Sequence, residues 1–334
     1  MSLSSRETNV LRGVAIILIV LHNVTHIFCP FQENEFGFSA ERVSNFFSNF
    51  HTMPFTALFS FYGWAGVSVF VFSSAYGLMA KYGGSRLKPF RWLGNHYLKL
   101  FLLMAPCLFL LFIVAKGMIG GEWELGLYFL EQTFLLNITD PFAIVPGIYW
   151  YVGMAFQLYV FFLLVRKLGT RSLAVLWIVS AVFLALTPGI EYMRHNFAGW
   201  IPEFVFGMLW YRCRGIRLGK RAAAMLPFLL LALFVIASAQ RYTFFLCGVF
   251  FVALLLSIRG LLARIPLMHR LGVLSASVYV LHALVRSCLV SLMNRGVVPS
   301  GEDWILLYAV LVLVAAVLLA IPYNHYYKKV CRLF

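Results

Sequence analysis

The sequence predicts an all-α fold, a polytopic bundle of transmembrane helices with both termini in the cytoplasm. The first observation is composition, because 62% of the 334 residues are hydrophobic and only 12% are charged. The mean hydropathy of +0.87 is far from that of a soluble domain. The second observation is a series of apolar runs, and the third is a separation of basic from acidic residues between them. Residues 1–334 are therefore expected to form a single integral-membrane domain.

Ten apolar runs are long enough to cross about 30 Å of hydrocarbon as helices. An even number of spans places both termini on one side of the membrane. The sixth run is short, and only Gln240 and Arg241 separate the seventh from the eighth, so nine or eleven spans also fit. The runs lie at 10–28, 56–80, 98–116, 148–165, 172–188, 198–211, 222–239, 242–258, 271–293 and 304–322.

Basic and acidic residues occupy alternate connections between these runs. With a cytoplasmic N-terminus, most of the 27 Lys and Arg residues lie on the inner side, and ten of the 12 acidic residues lie on the outer side. Such an asymmetry predicts the orientation, because basic loops stay in the cytoplasm. The net charge of +15 is explained by these loop clusters, so nucleic acid is not an expected partner. The inner clusters lie at 81–99, 166–171, 212–221, 259–270 and 328–332.

The cysteines and the start of the chain exclude two further classes. The six cysteines are dispersed without a CxxC or Cys/His cluster, so neither a disulfide framework nor a metal site is predicted. Apolar residues 13–21 are followed by HNVTH rather than by a small-residue cleavage site. The first run is therefore interpreted as an uncleaved span.

The first span carries three ionisable residues at membrane depth, Arg12, His22 and His26. Such residues are costly in lipid and usually mark a functional site. His22 and His26 are an i, i+4 pair, and Arg12 lies about 40° from His26 and about 80° from His22 around the helix axis. A histidine can act as general base towards a hydroxyl. An arginine binds phosphate, carboxylate or a developing oxyanion. The three residues are expected to line one cavity.

Four more polar residues lie inside later spans: Gln157, Glu203, His282 and Arg286. His282 and Arg286 are again an i, i+4 pair. A structural interpretation is open for each, since Glu203 and Arg286 could form an ion pair between helices and a buried histidine could bond a carbonyl. No GxSxG motif is present, so a serine hydrolase is not expected.

The outer connections 29–55 and 117–147 are long, and the inner connection 81–99 is rich in basic residues. The inner segment 81–99 either binds an anionic cofactor, such as the phosphorylated end of coenzyme A, or anchors the orientation. Its candidate cofactor-binding residues are Arg86, Lys88, Arg91, His96 and Lys99. The outer segment 117–147 is either an interfacial or re-entrant helix that roofs a cavity or a loop that covers the bundle.

Five stretches carry a family resemblance, in the same order and over nearly the whole chain. They are LRGVAIILIVLH (11–22), GVSVFVFSSAYGLM (66–79), IYWYVGMAFQLYVFF (148–162), IPEFVFGMLW (201–210) and LGVLSASVYVLH (271–282). Together they resemble the acyltransferase-3 family, bacterial integral-membrane O-acyltransferases that modify surface glycans. The third stretch is similar to the family's W-x-L-x-x-E-x-Q-x-Y segment through Trp150, Gln157 and Tyr159.

The chain departs from the family pattern at two positions of the proposed site. The family usually places ten residues between the arginine and the histidine of its opening helix, and here Asn23 stands at that position. Either the helix is locally irregular and His22 is used, or His26 is the working residue. Ala155 stands where the third segment commonly has Glu, so a carboxylate role is absent or has moved, for example to Glu203.

The resemblance implies an activity, roles for individual residues and a cellular location. The implied reaction moves an acyl group, most often acetyl, from cytosolic acyl-CoA to a hydroxyl of an exported or lipid-linked sugar or glycan, without a metal. A first-span histidine is the implied base, and Arg12 and the 81–99 segment hold the donor. The implied location is the bacterial cytoplasmic (inner) membrane. Acceptor contacts are expected from Trp150, Gln157, Tyr159, Glu203, His282 and Arg286.

A transporter or flippase is the alternative from another class. The same buried Arg and His residues would then bind a sugar-linked lipid or a small anion and relay protons. Transporters often contain two related halves, and no internal repeat is evident in this sequence. Consumption of a thioester donor distinguishes the two functions.

Overall fold

The computed structural model describes residues 2–28, 37–116, 129–136, 149–187, 191–213 and 219–332. Within these ranges the regular secondary structure is all helical and contains no strand, which confirms the all-α class. The helices are α1 Ser5–Phe28, α2 Ala40–Asn49, α3 Pro54–Tyr62, α4 Ala65–Tyr82, α5 Pro89–Lys116, α6 129–134, α7 Trp150–Val165, α8 Thr170–Leu186, α9 Glu191–Arg194, α10 Ile201–Arg212, α11 Lys220–Ser238, α12 Cys247–Ser257, α13 Arg259–Leu262, α14 Pro266–Asn294 and α15 Ile305–Cys331.

Six helical segments of the described chain are long and apolar enough to cross a membrane. They are Ser5–Ile27, Pro54–Tyr82, Pro89–Ile113, Arg221–Ser238, Pro266–Asn294 and Ile305–Cys331. The other four predicted spans correspond to α7, α8, α10 and α12, which have 16, 17, 12 and 11 residues. The number of ten spans therefore stays a prediction. The predicted roof at 117–147 lies mostly outside the described residues, apart from 129–136, which includes α6.

Helix α1 is central to the bundle and packs along α14, α4 and α15. Its backbone approaches α14 closely at two glycines. A Cβ atom on Gly13 would lie 1.9 Å from the carbonyl oxygen of Met268, and one on Gly272 would lie 1.7 Å from that of Asn9. Small residues permit this kind of approach between membrane helices, so any larger side chain at either position would push α1 and α14 apart.

Both termini of the described chain and many basic residues lie at the same end of the bundle. Near the N-terminus the Leu3 N–H donates to the Tyr76 hydroxyl, 2.8 Å away, and near the C-terminus the Tyr327 hydroxyl donates to the Lys99 carbonyl, 3.1 Å away. The termini are therefore at the same end, and the side of the membrane that they face stays a prediction. We call this end the basic end; its residues include Arg6, Lys81, Arg86, Lys88, Arg91, Lys99, Arg166, Arg212, Arg259, Lys328 and Lys329.

Helices α10 and α12 extend only part of the way from the basic end into the bundle. At the basic end, Arg212 of α10 donates to the carbonyl of Leu168, and Arg259, just after α12, pairs with Glu7. Their lengths of about 18 and 17 Å are near half the thickness of the hydrocarbon layer. Each helix follows a short 3-10 turn. The first turns of α10 and α12 are in contact, because a Cβ on Gly248 of α12 would lie 2.5 Å from a carboxylate oxygen of Glu203 in α10.

Candidate active site

The two histidines of α1 lie together, far from the basic end. The Nδ1 atom of His22 is 3.1 Å from the carbonyl oxygen of Phe59. A carbonyl only accepts, so Nδ1 donates this bond, and in the neutral ring Nε2 carries the lone pair. The His22 side chain is buried, and the His26 ring centroid is 4.5 Å away in an edge-to-face arrangement. His22 therefore has the tautomer that a general base requires at Nε2.

The turn between α3 and α4 fixes the position of His22. A Cβ on Gly63 would lie 2.6 Å from the Cβ of His22 and 2.9 Å from the carbonyl oxygen of Leu18. The next residue, Trp64, is buried, and its ring lies 5.4 Å from the guanidinium of Arg194. The turn thus separates His22 on one side from Arg194 on the other.

Arg12 lies on the side of α1 that faces α7, whereas His22 contacts α3. Its charge acts on the phenol groups of Tyr151 and Tyr159. Arg12 keeps part of its surface accessible, and it forms no hydrogen bond with any residue in the described ranges. It precedes His22 by about 15 Å along the helix. A cavity shared by Arg12, His22 and His26 stays a prediction.

The basic segment 81–99 divides into an exposed part and an inward part. Four of its predicted cofactor-binding residues are exposed at the basic end. His96 is instead partly buried; its ring centroid lies 3.9 Å from that of Trp92 and 5.1 Å from that of Tyr159. Tyr159 is thus in ring contact with His96 and near enough to Arg12 to be affected by its charge. The four exposed residues are Arg86, Lys88, Arg91 and Lys99.

The Arg194–Glu203 ion pair is the main feature that sequence reasoning missed. Arg194 lies in the connection between the fifth and sixth apolar runs, yet it and Glu203 are fully buried, and the Arg194 Nη2 atom is 3.3 Å from Glu203 Oε1. The same nitrogen donates to the carbonyl of Phe245, 3.2 Å away. The guanidinium also lies 4.6 Å from the Trp200 ring. Glu203 therefore pairs with Arg194, and the suggested pair with Arg286 is wrong.

Gln157 and Trp150 hold the segment that carries Arg194. The Gln157 amide accepts from the Phe197 N–H at 3.1 Å and donates to the Asn196 side chain at 3.1 Å. It also donates to the Leu136 carbonyl at 3.1 Å. Trp150 stacks on Trp200, with ring centroids 5.9 Å apart. Contact of these two residues with an acceptor stays a prediction, whereas their contacts with 194–200 give them a role in positioning the ion pair.

Replacing Gln157 with leucine is expected to lower the free energy of unfolding by about 0.5–1.5 kcal/mol, because it removes hydrogen bonds to partly buried and exposed partners. Thermal unfolding of the purified protein in detergent measures this effect. Gln240→Leu, at an exposed position, is the matched control. Equal unfolding temperatures for the two variants would contradict the positioning role.

His282 and Arg286 lie on α14, one helical turn apart. The His282 ring is fully buried, and its Nδ1 donates to the Tyr279 carbonyl. The Tyr279 ring contacts Tyr151, with centroids 5.4 Å apart. Arg286 is partly exposed and forms no hydrogen bond with the described residues. Together, Tyr151 and Tyr279 link the Arg12 region with the His282 region.

Comparison with known families identifies the class of protein. The family model described as an acyltransferase domain, Acyl_transf_3, matches residues 6–324. Because the match covers nearly the whole chain, this protein belongs to the acyltransferase-3 family, as the resemblance predicted. Neither the search of curated proteins nor the search of solved structures gave a match.

Proposed function

We propose that this protein is an inner-membrane O-acyltransferase that transfers an acyl group, acetyl in the simplest case, from cytosolic acyl-CoA to a hydroxyl of an exported or lipid-linked sugar or glycan. Family membership supports acyl transfer. The observation that carries the mechanism is the hydrogen bond from His22 Nδ1 to the Phe59 carbonyl. It orients the imidazole with its basic nitrogen, Nε2, directed away from that bond.

His22 acts as general base in the proposed reaction. The acceptor hydroxyl gives its proton to His22 Nε2 while its oxygen attacks the thioester carbonyl. This attack forms the C–O bond and gives a tetrahedral intermediate, whose collapse breaks the C–S bond and restores the carbonyl. The His22 imidazolium returns the proton to the departing thiolate of coenzyme A. His26, in ring contact with His22, is the neighbouring group that limits the movement of the imidazole.

The donor enters from the basic end. Its phosphates bind the exposed cations Arg86, Lys88, Arg91 and Lys99, while His96 and Tyr159 border the route inwards. Arg12, whose donors form no hydrogen bond with the described residues, binds an anionic or carbonyl oxygen of the donor. This arrangement requires the basic end to face the cytosol, as the charge distribution predicts.

Changing Arg12 to glutamine is expected to raise the KM for acetyl-CoA by about 10- to 100-fold, since a hydrogen bond to a charged group contributes about 1.5–3 kcal/mol. Insertion into the membrane is expected to be normal. Initial rates at varied donor concentration measure the change. Arg270→Gln, an exposed residue on α14 near the basic end, is the matched control. An unchanged KM and unchanged turnover in Arg12→Gln would remove Arg12 from the site.

A transporter or flippase is the second candidate, and one observation favours it. Helices α10 and α12 are about half as long as a span and begin at a buried ion pair, as the discontinuous helices of transporters do at a substrate site. The two functions differ in donor chemistry, because only the acyltransferase cleaves a thioester.

Membranes containing the protein, incubated with acetyl-CoA labelled in the acetyl group and with cell-envelope glycans, test the proposal. We expect label in the glycan fraction together with release of free coenzyme A. Movement of intact glycan without coenzyme A release would instead identify a transporter. Membranes without the protein provide the baseline for both measurements.

A further inference from the structure

Arg286 differs from the two buried arginines of the described chain, Arg194 and Arg166, and is like Arg12 in forming no hydrogen bond with the described residues. Arg194 donates to the Glu203 carboxylate and the Phe245 carbonyl, and Arg166 donates to the carbonyls of Tyr82 and Ser85. Arg286 makes no such bond within the described part of the chain, and its Nε atom is buried. Charged groups at membrane depth usually face a partner or a ligand, so Arg286 has the properties of a binding residue.

His282 adds a second hydrogen-bonding atom on the same face of α14. Its ring is fully buried, and Nδ1 is used by the Tyr279 carbonyl. Its Nε2 atom is buried and has no hydrogen-bond partner among the residues that the structure describes. A buried polar atom without a partner is costly. An anion that binds Arg286 and whose attached group donates a hydroxyl hydrogen to His282 Nε2 would satisfy both side chains.

The position of Arg286 along α14 indicates where this anion comes from. Helix α14 begins near the basic end, where His269 approaches Asn9 of α1. Arg286 lies 20 residues beyond Pro266, or about 30 Å along the helix, which equals the thickness of the hydrocarbon layer. His22 lies about 26 Å from the start of α1, and α1 packs along α14. Arg286 and His22 are therefore at similar depths, near the level of lipid phosphates at the far surface.

We propose that Arg286 binds the phosphate of a membrane lipid, that His282 Nε2 accepts a hydrogen bond from a hydroxyl of the sugar linked to that phosphate, and that the acceptor sugar is presented to His22 on this lipid. A guanidinium binds phosphate through two parallel hydrogen bonds, which a neutral glycan cannot provide. A lipid chain holds its phosphate at the depth of Arg286, whereas a soluble anion has no reason to concentrate there. The part of this inference that concerns the acceptor rests on the proposed acyl transfer, and the part that concerns phosphate binding does not.

Binding of dodecyl phosphate to the purified protein in nonionic detergent tests the anion site. We expect dodecyl phosphate, but not dodecanol, to raise the unfolding temperature of the unmodified protein. Arg286→Gln is expected to weaken this binding by about 10- to 100-fold, and Arg286→Lys to weaken it less. Arg295→Gln, exposed beyond the end of α14, should bind normally. Equal stabilisation of Arg286→Gln and Arg295→Gln would overturn the site.

Acceptor kinetics then identify the source of the phosphate. The test compares a sugar linked to an alkyl phosphate with the same sugar as a neutral alkyl glycoside. Arg286→Gln should raise the KM for the phosphate-linked acceptor by about 10- to 100-fold and leave that for the neutral glycoside unchanged. Dodecyl phosphate should compete with the phosphate-linked acceptor. Noncompetitive behaviour would assign the phosphate to a structural lipid and overturn the acceptor part.

The two proposals fail in distinguishable ways. If dodecyl phosphate binds at Arg286 but no acceptor is acylated and no thioester is cleaved, the phosphate site is supported and the transfer reaction is overturned. If the neutral glycoside is acylated in a His22-dependent reaction and dodecyl phosphate does not bind, the transfer reaction is supported and the phosphate site is overturned.

Discussion

Replacing His22 with alanine is expected to lower the turnover of acyl transfer by about 10²- to 10⁴-fold, the usual contribution of a general base. The donor KM should change little, since donor binding is assigned to Arg12 and the basic end. The loss of turnover follows from the role of the ring, in which Nδ1 donates to the Phe59 carbonyl and Nε2 is the basic nitrogen of the neutral imidazole. Release of coenzyme A from acetyl-CoA in the presence of acceptor measures turnover.

Two other histidines provide the comparisons for this variant. His26→Ala should reduce turnover less than His22→Ala, because His26 contacts the His22 ring but is assigned no proton transfer. His51→Ala, in an exposed turn, should have no effect. Normal turnover in His22→Ala together with its loss in His26→Ala would show that His26 is the base.

Replacing Glu203 with leucine is expected to lower the free energy of unfolding by about 3–5 kcal/mol, because it leaves the buried Arg194 charge without its carboxylate. Both side chains are fully buried, and the guanidinium is enclosed by the rings of Trp64, Trp200 and Phe244. This enclosure prevents water from replacing the carboxylate. Thermal unfolding in detergent, with refolding to confirm equilibrium, measures the loss.

The double variant Arg194→Met/Glu203→Leu separates charge from packing. Removing both members of a buried ion pair is often neutral or stabilising, whereas removing one is strongly destabilising. The double variant should therefore unfold at a higher temperature than Glu203→Leu alone. If the losses of unfolding free energy in Arg194→Met and Glu203→Leu add up in the double variant, the destabilisation comes from lost packing. The electrostatic account of this cluster would then be wrong.

Hydropathy and charge were sufficient to predict the helical class and the long spans. An apolar run of about 20 residues can bury its backbone in lipid only as a helix, so α1, α5, α14 and α15 follow directly from the sequence. The clustering of basic residues likewise predicted one basic end. The paired positions of His22 with His26, and of His282 with Arg286, follow from helical periodicity alone.

The ion pair and the short helices could not be predicted in the same way. Arg194 lies in the polar stretch EYMRHN, which resembles a connection, and its burial depends on the aromatic rings of other helices. The first turns of α10 and α12 are held by the contact between Glu203 and Gly248, which are distant in sequence. Proline at the second position of α10 and glycine at the second position of α12 are the local signals, and each is weak without the other.

The central claim is that donor and acceptor reach one site from opposite sides of the membrane. Vesicles in which the protein has a single orientation test this claim. The exposed Cys213 at the basic end reports that orientation. An impermeant maleimide labels Cys213 only when the basic end faces outwards, and Cys213→Ser gives the background. Labelled acetyl-CoA is then added outside vesicles that contain only the acceptor. The account predicts label on the enclosed acceptor; label transfer only when donor and acceptor share one compartment would contradict it.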